Sequence, residues 1–74
     1  MISLDTLPDS ALLDDQTTAG LLSVKKTTLQ VWRSTNRVEL PYVKVGRLVR
    51  YRAGDLRAFI ESRVVHPGEI GQVA

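Results

Sequence analysis

The 74 residues contain no cysteine, a single histidine, one tryptophan, one phenylalanine and one methionine. Without cysteine there are no disulfides and no thiolate metal sites to staple a small fold. His66 stands without metal-ligating neighbours, so a zinc site is not expected, and neither is a cofactor. No apolar run approaches the roughly 18 residues of a membrane span. No positively charged start leads into an apolar stretch, as it would in a secretory signal. A carboxylate pair, a nucleophile–base set and a phosphate-binding glycine loop are all missing from the pattern, which argues against an enzyme. The expectation is one small domain in the cytoplasm, with no membrane partner. A chain of this length buries only about 60% of the surface it exposes when unfolded, so its core must be small.

Charge is present but segregated. All ten Lys and Arg residues fall between Lys25 and Arg63, where only Glu39, Asp55 and Glu61 oppose them, a balance of +7. The first 23 residues carry Asp5, Asp9, Asp14 and Asp15 and no base, a balance of −4. A concentrated basic block on a small domain focuses positive potential and points to a polyanionic partner.

Residues 1–11 lack clean periodicity and read as a mobile or loosely docked arm, with Leu4 and Leu7 able to cover part of the core. Asp14 is a suitable N-cap for a helix from about Asp15 to Leu22, and Asp15 adds negative charge at the positive end of its dipole. Gly20 inside that helix costs roughly 1 kcal/mol against alanine, which implies either close approach of a neighbour or simple tolerance. After Ser23-Val24-Lys25 a second helix runs from about Lys26 to Ser34. Leu29 and Trp32 face inward, while Lys26, Thr27, Gln30, Val31 and Ser34 face out. Residues 35–40 connect it to two runs of period-two alternation, Tyr42–Val45 and Leu48–Tyr51, with Gly46-Arg47 between them. Glycine first in a two-residue loop predicts a type II′ hairpin turn. Val43, Val45, Val49 and Tyr51 are assigned to its buried face, and Lys44, Arg47 and Arg50 to the outside or the tip. A third helix, from about Ala53 to Val64, is carried by Leu56, Phe59 and Ile60 and stopped by Pro67-Gly68. Residues 66–74 read as a disordered tail. The expected core is Leu13, Ala19, Leu22, Val24, Leu29, Trp32, Val43, Val45, Val49, Tyr51, Leu56, Phe59 and Ile60. The fold class is mainly α with a small β-hairpin: a winged helix-turn-helix over residues 12–65.

The stretches Leu21-Leu22-Ser23-Val24, Thr28-Leu29-Gln30-Val31-Trp32, Pro41 through Tyr51 and Asp55-Leu56-Arg57-Ala58-Phe59-Ile60 occur in a telling order. In order and spacing they resemble the small MerR-like winged helix-turn-helix proteins of the excisionase and AlpA type. The likeness covers roughly 50 residues. Ser23 replaces the usual turn glycine, Lys25 replaces the Ser or Thr that usually caps the second helix, and the connector is slightly longer than the common form.

The resemblance implies a DNA-binding protein without chemistry of its own. It would be either a recombination directionality factor that bends DNA and steers an integrase toward excision, or a small transcription regulator. A protein-interaction or antitoxin-like module is the reading from another class. On the DNA reading the second helix enters the major groove. Gln30 can pair with adenine, Lys26 can reach guanine or phosphate, Thr27 can contact a thymine methyl or a phosphate, and Val31 can pack on a methyl group. Lys25 belongs to the same helix start. Thr28 either donates to a phosphate or bonds within its helix. Arg47, at the wing tip, can enter the minor groove, with Lys44 and Arg50 on flanking phosphates. Arg33 and Arg37 are phosphate contacts or ion-pair partners, and Arg52 is a further candidate for phosphate. Copies side by side on DNA could associate head-to-tail, the acidic segment of one meeting the basic block of the next.

Overall fold

The computed structural model describes residues 3–65, so the expected tail from residue 66 lies outside the described residues. After a 3-10 turn at Leu4–Thr6, the chain forms β1 (Leu12–Leu13), α1 (Asp15–Leu22), α2 (Lys26–Thr35), β2 (Val43–Val45), β3 (Leu48–Arg52) and α3 (Ala53–Ser62).

The local chemistry explains the boundaries. Asp14 caps α1, its carboxylate accepting from the Thr17 amide at 2.8 Å. The helix closes on Ser23 in the left-handed region, φ 58°, and the Val24 amide donates back to the Ala19 carbonyl at 3.0 Å. This is a Schellman-type ending, normally built on glycine, which is why the turn accepts serine only at some cost. Lys25 precedes α2 with no side-chain cap, as its chemistry requires. α2 closes on Asn36, also left-handed at φ 53°. Gly46 has φ 63° while Arg47 does not share a positive φ, the combination of a type II′ turn.

The sheet differs from the expected two-stranded wing. It has three antiparallel strands in the order β1-β3-β2. Leu12 pairs with Arg52 and Leu13 with Tyr51, so the wing strand β3 is also tied to the entrance of α1. The Ala53 amide donates to the Ala11 carbonyl at 2.9 Å and extends the link.

The register also corrects the predicted face of the hairpin. Val45 pairs with Leu48, Lys44 with Val49 and Val43 with Arg50. Paired residues share a face, so a two-residue turn matches odd positions before it with even positions after it. Val43, Val45, Leu48 and Arg50 therefore share the outer face, along with Arg52 and Leu12. Val49 and Tyr51 face the helices, with Leu13. Val45 is 49% and Leu48 54% exposed, so Val45 is not a core residue. Val43 is only half-buried.

The core consists of Leu13, Ala19, Leu29, Leu40, Tyr51, Ala53, Leu56 and Phe59, with Leu22, Val24, Trp32, Val49 and Ile60 packed around it. Leu40 and Ala53 are buried beyond expectation, and so is Thr18, whose hydroxyl has no partner among the described residues. α3 ends at Ser62, and Val64 is exposed.

Two further expectations change. The N-terminal segment is docked over its described residues. Arg57 donates to the Leu4 carbonyl at 2.6 Å, to the Leu7 carbonyl and to the Asp9 carboxylate, while Leu4 and Leu7 pack on the core. Gly20 has open space where a Cβ would stand, so no neighbouring helix approaches it; the close approach occurs at Gly54, whose Cβ would lie 2.9 Å from that of Asp9.

Candidate nucleic-acid interface

Two helices joined at Ser23-Val24-Lys25 bury Ala19 and Leu29 and leave one side of α2 to solvent. Lys26, Thr27, Gln30, Val31, Ser34 and Thr35 are all exposed, and Val31 is 52% so. The rows i, i+4, i+8 divide this surface into two parallel ridges. One is polar: Lys26, Gln30 and Ser34. The other is β-branched: Thr27, Val31 and Thr35.

The polar ridge begins beside the wing. Lys26 and Arg33 of α2 share an open cleft of about 340 Å³ with Arg47, Leu48, Val49 and Arg50 of the hairpin and with Asp14, Asp15 and Gln16 at the start of α1. Gln16 in this cleft was not singled out by the sequence; only the packing of α1 between α2 and β3 puts it there. The hydrogen bond donated by the Thr17 amide to Asp14, with smaller contributions from Arg50 and Lys26, holds the Asp14 carboxyl below its ordinary value. Both carboxylates of the cleft are already engaged, Asp14 as a helix cap and Asp15 with Arg33. Lys26, Arg47 and Arg50 are the cations that remain along it.

The second ridge faces away from the cleft. Thr27, Thr28, Val31, Trp32, Thr35 and Arg37 line a separate open groove. Thr28 is half-buried there.

The basic residues divide into those held inside and those offered outward. Arg33 had two roles open to it, a phosphate contact from the recognition helix or an ion pair, and the structure shows the ion pair. It is turned inward, donating to Asp15 at 3.0 Å and to the Tyr51 hydroxyl at 2.8 Å, with its side chain only 19% exposed. Its position on α2, one turn beyond Leu29 and beside Trp32, aims it at the core edge. Burial alone would lower its pKa, and the bonds to Tyr51 and Asp15 outweigh burial and raise it. Burial likewise pushes the Tyr51 phenol up, against the pull of Arg33. Arg52 pairs with Asp55 at 2.7 Å and lines a different hollow, beside Asp9 and Gly54, while Arg57 clamps the N-terminal segment. Arg50 donates to its neighbour's carbonyl, Val49, at 2.8 Å and still lines the cleft. Among the described residues Lys25, Lys26, Arg37, Lys44 and Arg47 form no salt bridge, and all five are exposed. Lys44 lies on β2, across from Val49, and lines neither the cleft nor the groove.

The acidic segment is used within the chain. Asp9 pairs with Arg57, Asp14 caps α1 and Asp15 pairs with Arg33. The charge split that suggested contact between neighbouring copies is thus largely answered inside one molecule.

Among the described residues no group of three or more His, Cys, Asp or Glu is placed to hold a metal, and no helix is long and apolar enough to cross a membrane. Three helices, a helix-turn-helix pair among them, with a small antiparallel sheet carrying a basic tip, define a winged helix-turn-helix domain. The family described as "Helix-turn-helix domain" matches residues 12–64, and the chain belongs to it. It is a DNA-binding domain of that class, a family that includes excisionase- and AlpA-like regulators. No curated protein and no solved structure matches the chain.

Proposed function

We propose that this protein is a MerR-like, sequence-specific DNA-binding factor of the excisionase type, which bends DNA near attachment sites and steers an integrase toward excision. The observation that carries the docking is the cleft between α2 and the hairpin, which joins Lys26 to Arg47 and Arg50 across the start of α1. Lys26, which lines it, and Gln30, one turn further along the same exposed ridge of α2, suit base edges in the major groove. Arg47, at the end of the wing, suits the adjacent minor groove, and Gln16, Lys26 and Arg50 suit the phosphates between them. A helix and a wing in adjacent grooves reward a bent duplex with more contacts.

Footprinting on DNA flanking the protein's own gene tests the docking. Wild type protects a defined stretch, and Gln30→Ala and Arg47→Ala each weaken protection. Unchanged binding in both variants contradicts the docking. Addition of the protein to an excision reaction of a neighbouring integrase tests the role. Stimulation is expected; a footprint over a promoter without stimulation favours the AlpA-like regulator instead.

A further inference from the structure

We infer that the second ridge of α2, Thr27–Val31–Thr35, is a methyl-reading surface that selects thymine in the major groove, with Val31 as its central residue and Arg37 on the flanking phosphate. The inference rests on the DNA-binding reading and deepens it.

Three features support it. The ridge is i, i+4, i+8 along a helix, so it is straight and roughly 12 Å long, the span of three to four base pairs. All three of its residues are β-branched, so each carries at least one methyl group. The hydroxyls of Ser34 and Thr35 both donate to the Val31 carbonyl, at 3.2 and 2.7 Å, so Thr35 presents its methyl rather than a donor. Val31 stands at the centre of the ridge, half exposed, with no core role. Finally, the groove beneath the ridge has Trp32 as its floor and Arg37 at its rim, and no acidic residue lines it. A groove with apolar walls and one cation fits a thymine edge and its phosphate, whose charge Arg37 complements. An acidic protein segment would leave the methyl ridge unused. Thymine is the one base that offers a methyl group in the major groove. Arg33, the arginine of this helix, is held by Asp15 and Tyr51 and is not on its outward side. The polar ridge then reads hydrogen-bonding edges on the wing side, and the β-branched ridge reads methyls on the far side.

The test uses the full chain and a pool of random duplexes. Sequences captured by the protein are resynthesised with deoxyuridine for each thymidine in turn, which removes the methyl and keeps the pairing and the O4 acceptor. The expected result is thymine at two or more selected positions and a loss of about fourfold in affinity for each contacted methyl removed, the value of one buried methyl. Val31→Ala, an exposed change to a better helix former, should lose the thymine preference at the central selected position and keep it at the positions beside it. Gln30→Ala should bind both more weakly and keep the thymine preference. Equal binding of thymine and uracil duplexes by wild type overturns the inference while leaving DNA binding intact. A thymine preference unchanged at every selected position in Val31→Ala overturns the assignment to this ridge. Capture of no duplex at all overturns the DNA-binding reading on which it rests.

Discussion

Arg33, on the second helix of the helix-turn-helix, donates at 2.8 Å to the hydroxyl of Tyr51, on the strand that carries the wing. With Asp15 on the other side of the guanidinium, this bond couples the recognition helix, the wing and the start of α1 through one partly buried cation. The two elements proposed to enter the grooves are thereby fixed relative to each other before any DNA arrives. Such preorganisation reduces what must be ordered on binding.

Tyr51→Phe removes one bond of this junction and should cost about 1 kcal/mol. Arg33→Ala leaves the Asp15 carboxylate, 16% exposed, without its partner and should cost roughly 2–3 kcal/mol. Urea unfolding measures both. If Arg33 faced DNA instead, Arg33→Ala would lower affinity and leave the unfolding midpoint in place.

Thr18 carries a hydroxyl buried without a partner among the described residues. Thr18→Val keeps the shape and removes the desolvated group. A gain of about 1 kcal/mol in unfolding free energy is expected. A loss of similar size would mean that the hydroxyl is bonded in solution.

α1 carries a glycine where a side chain fits and a serine where a glycine fits. Gly20 has open space for a Cβ, and Ser23 holds φ 58°. Gly20→Ala and Ser23→Gly should each raise stability by about 1 kcal/mol. Gly54→Ala should do the reverse, because its Cβ meets Asp9 at 2.9 Å and would displace the N-terminal segment. Thermal melts of the three variants should separate in these opposite directions.

The Asp14 cap makes stability depend on acid. Its carboxyl is held below its ordinary value, chiefly by the Thr17 amide. The cap's contribution is therefore full above the unfolded-state pKa and is lost as pH falls through the lower, native value. Asp14→Ala should cost about 1 kcal/mol near neutrality, and the gap to wild type should close in strong acid. Chemical unfolding at a series of pH values measures the gap; a constant difference would contradict the cap.

The helices were legible in the sequence because their signals are local. Asp14, the Leu29–Trp32 pair and the Leu56–Phe59–Ile60 pattern each mark an element within one or two turns. The hairpin turn was equally legible from Gly46-Arg47. Its buried face was not, because alternation within each strand leaves open which alternating sets meet across the turn; a two-residue loop pairs Val45 with Leu48 and turns both outward. β1 escaped because two residues give no period, and its strand character comes wholly from pairing with Tyr51 and Arg52. The fate of the arginines depends on partners distant in sequence. Arg33 finds Asp15 and Tyr51, each 18 positions away, and Arg57 reaches Leu4, Leu7 and Asp9, 48 to 53 positions away. Composition counts all these cations alike, but only those outside such pairs remain for a polyanion.

Binding of a duplex through the helix and the wing together must show in how its affinity depends on salt. Lys26, Arg47 and Arg50 line one cleft. If each displaces a condensed counterion there, Lys26 and Arg50 at phosphates and Arg47 within the minor groove, removing any one of these cations should flatten the plot of log affinity against log salt by about 0.9. Wild type should show a steep linear fall, and Arg47→Ala a fall shallower by about that amount. A duplex affinity indifferent to salt, or a slope unchanged in Arg47→Ala, would contradict binding through the helix and the wing.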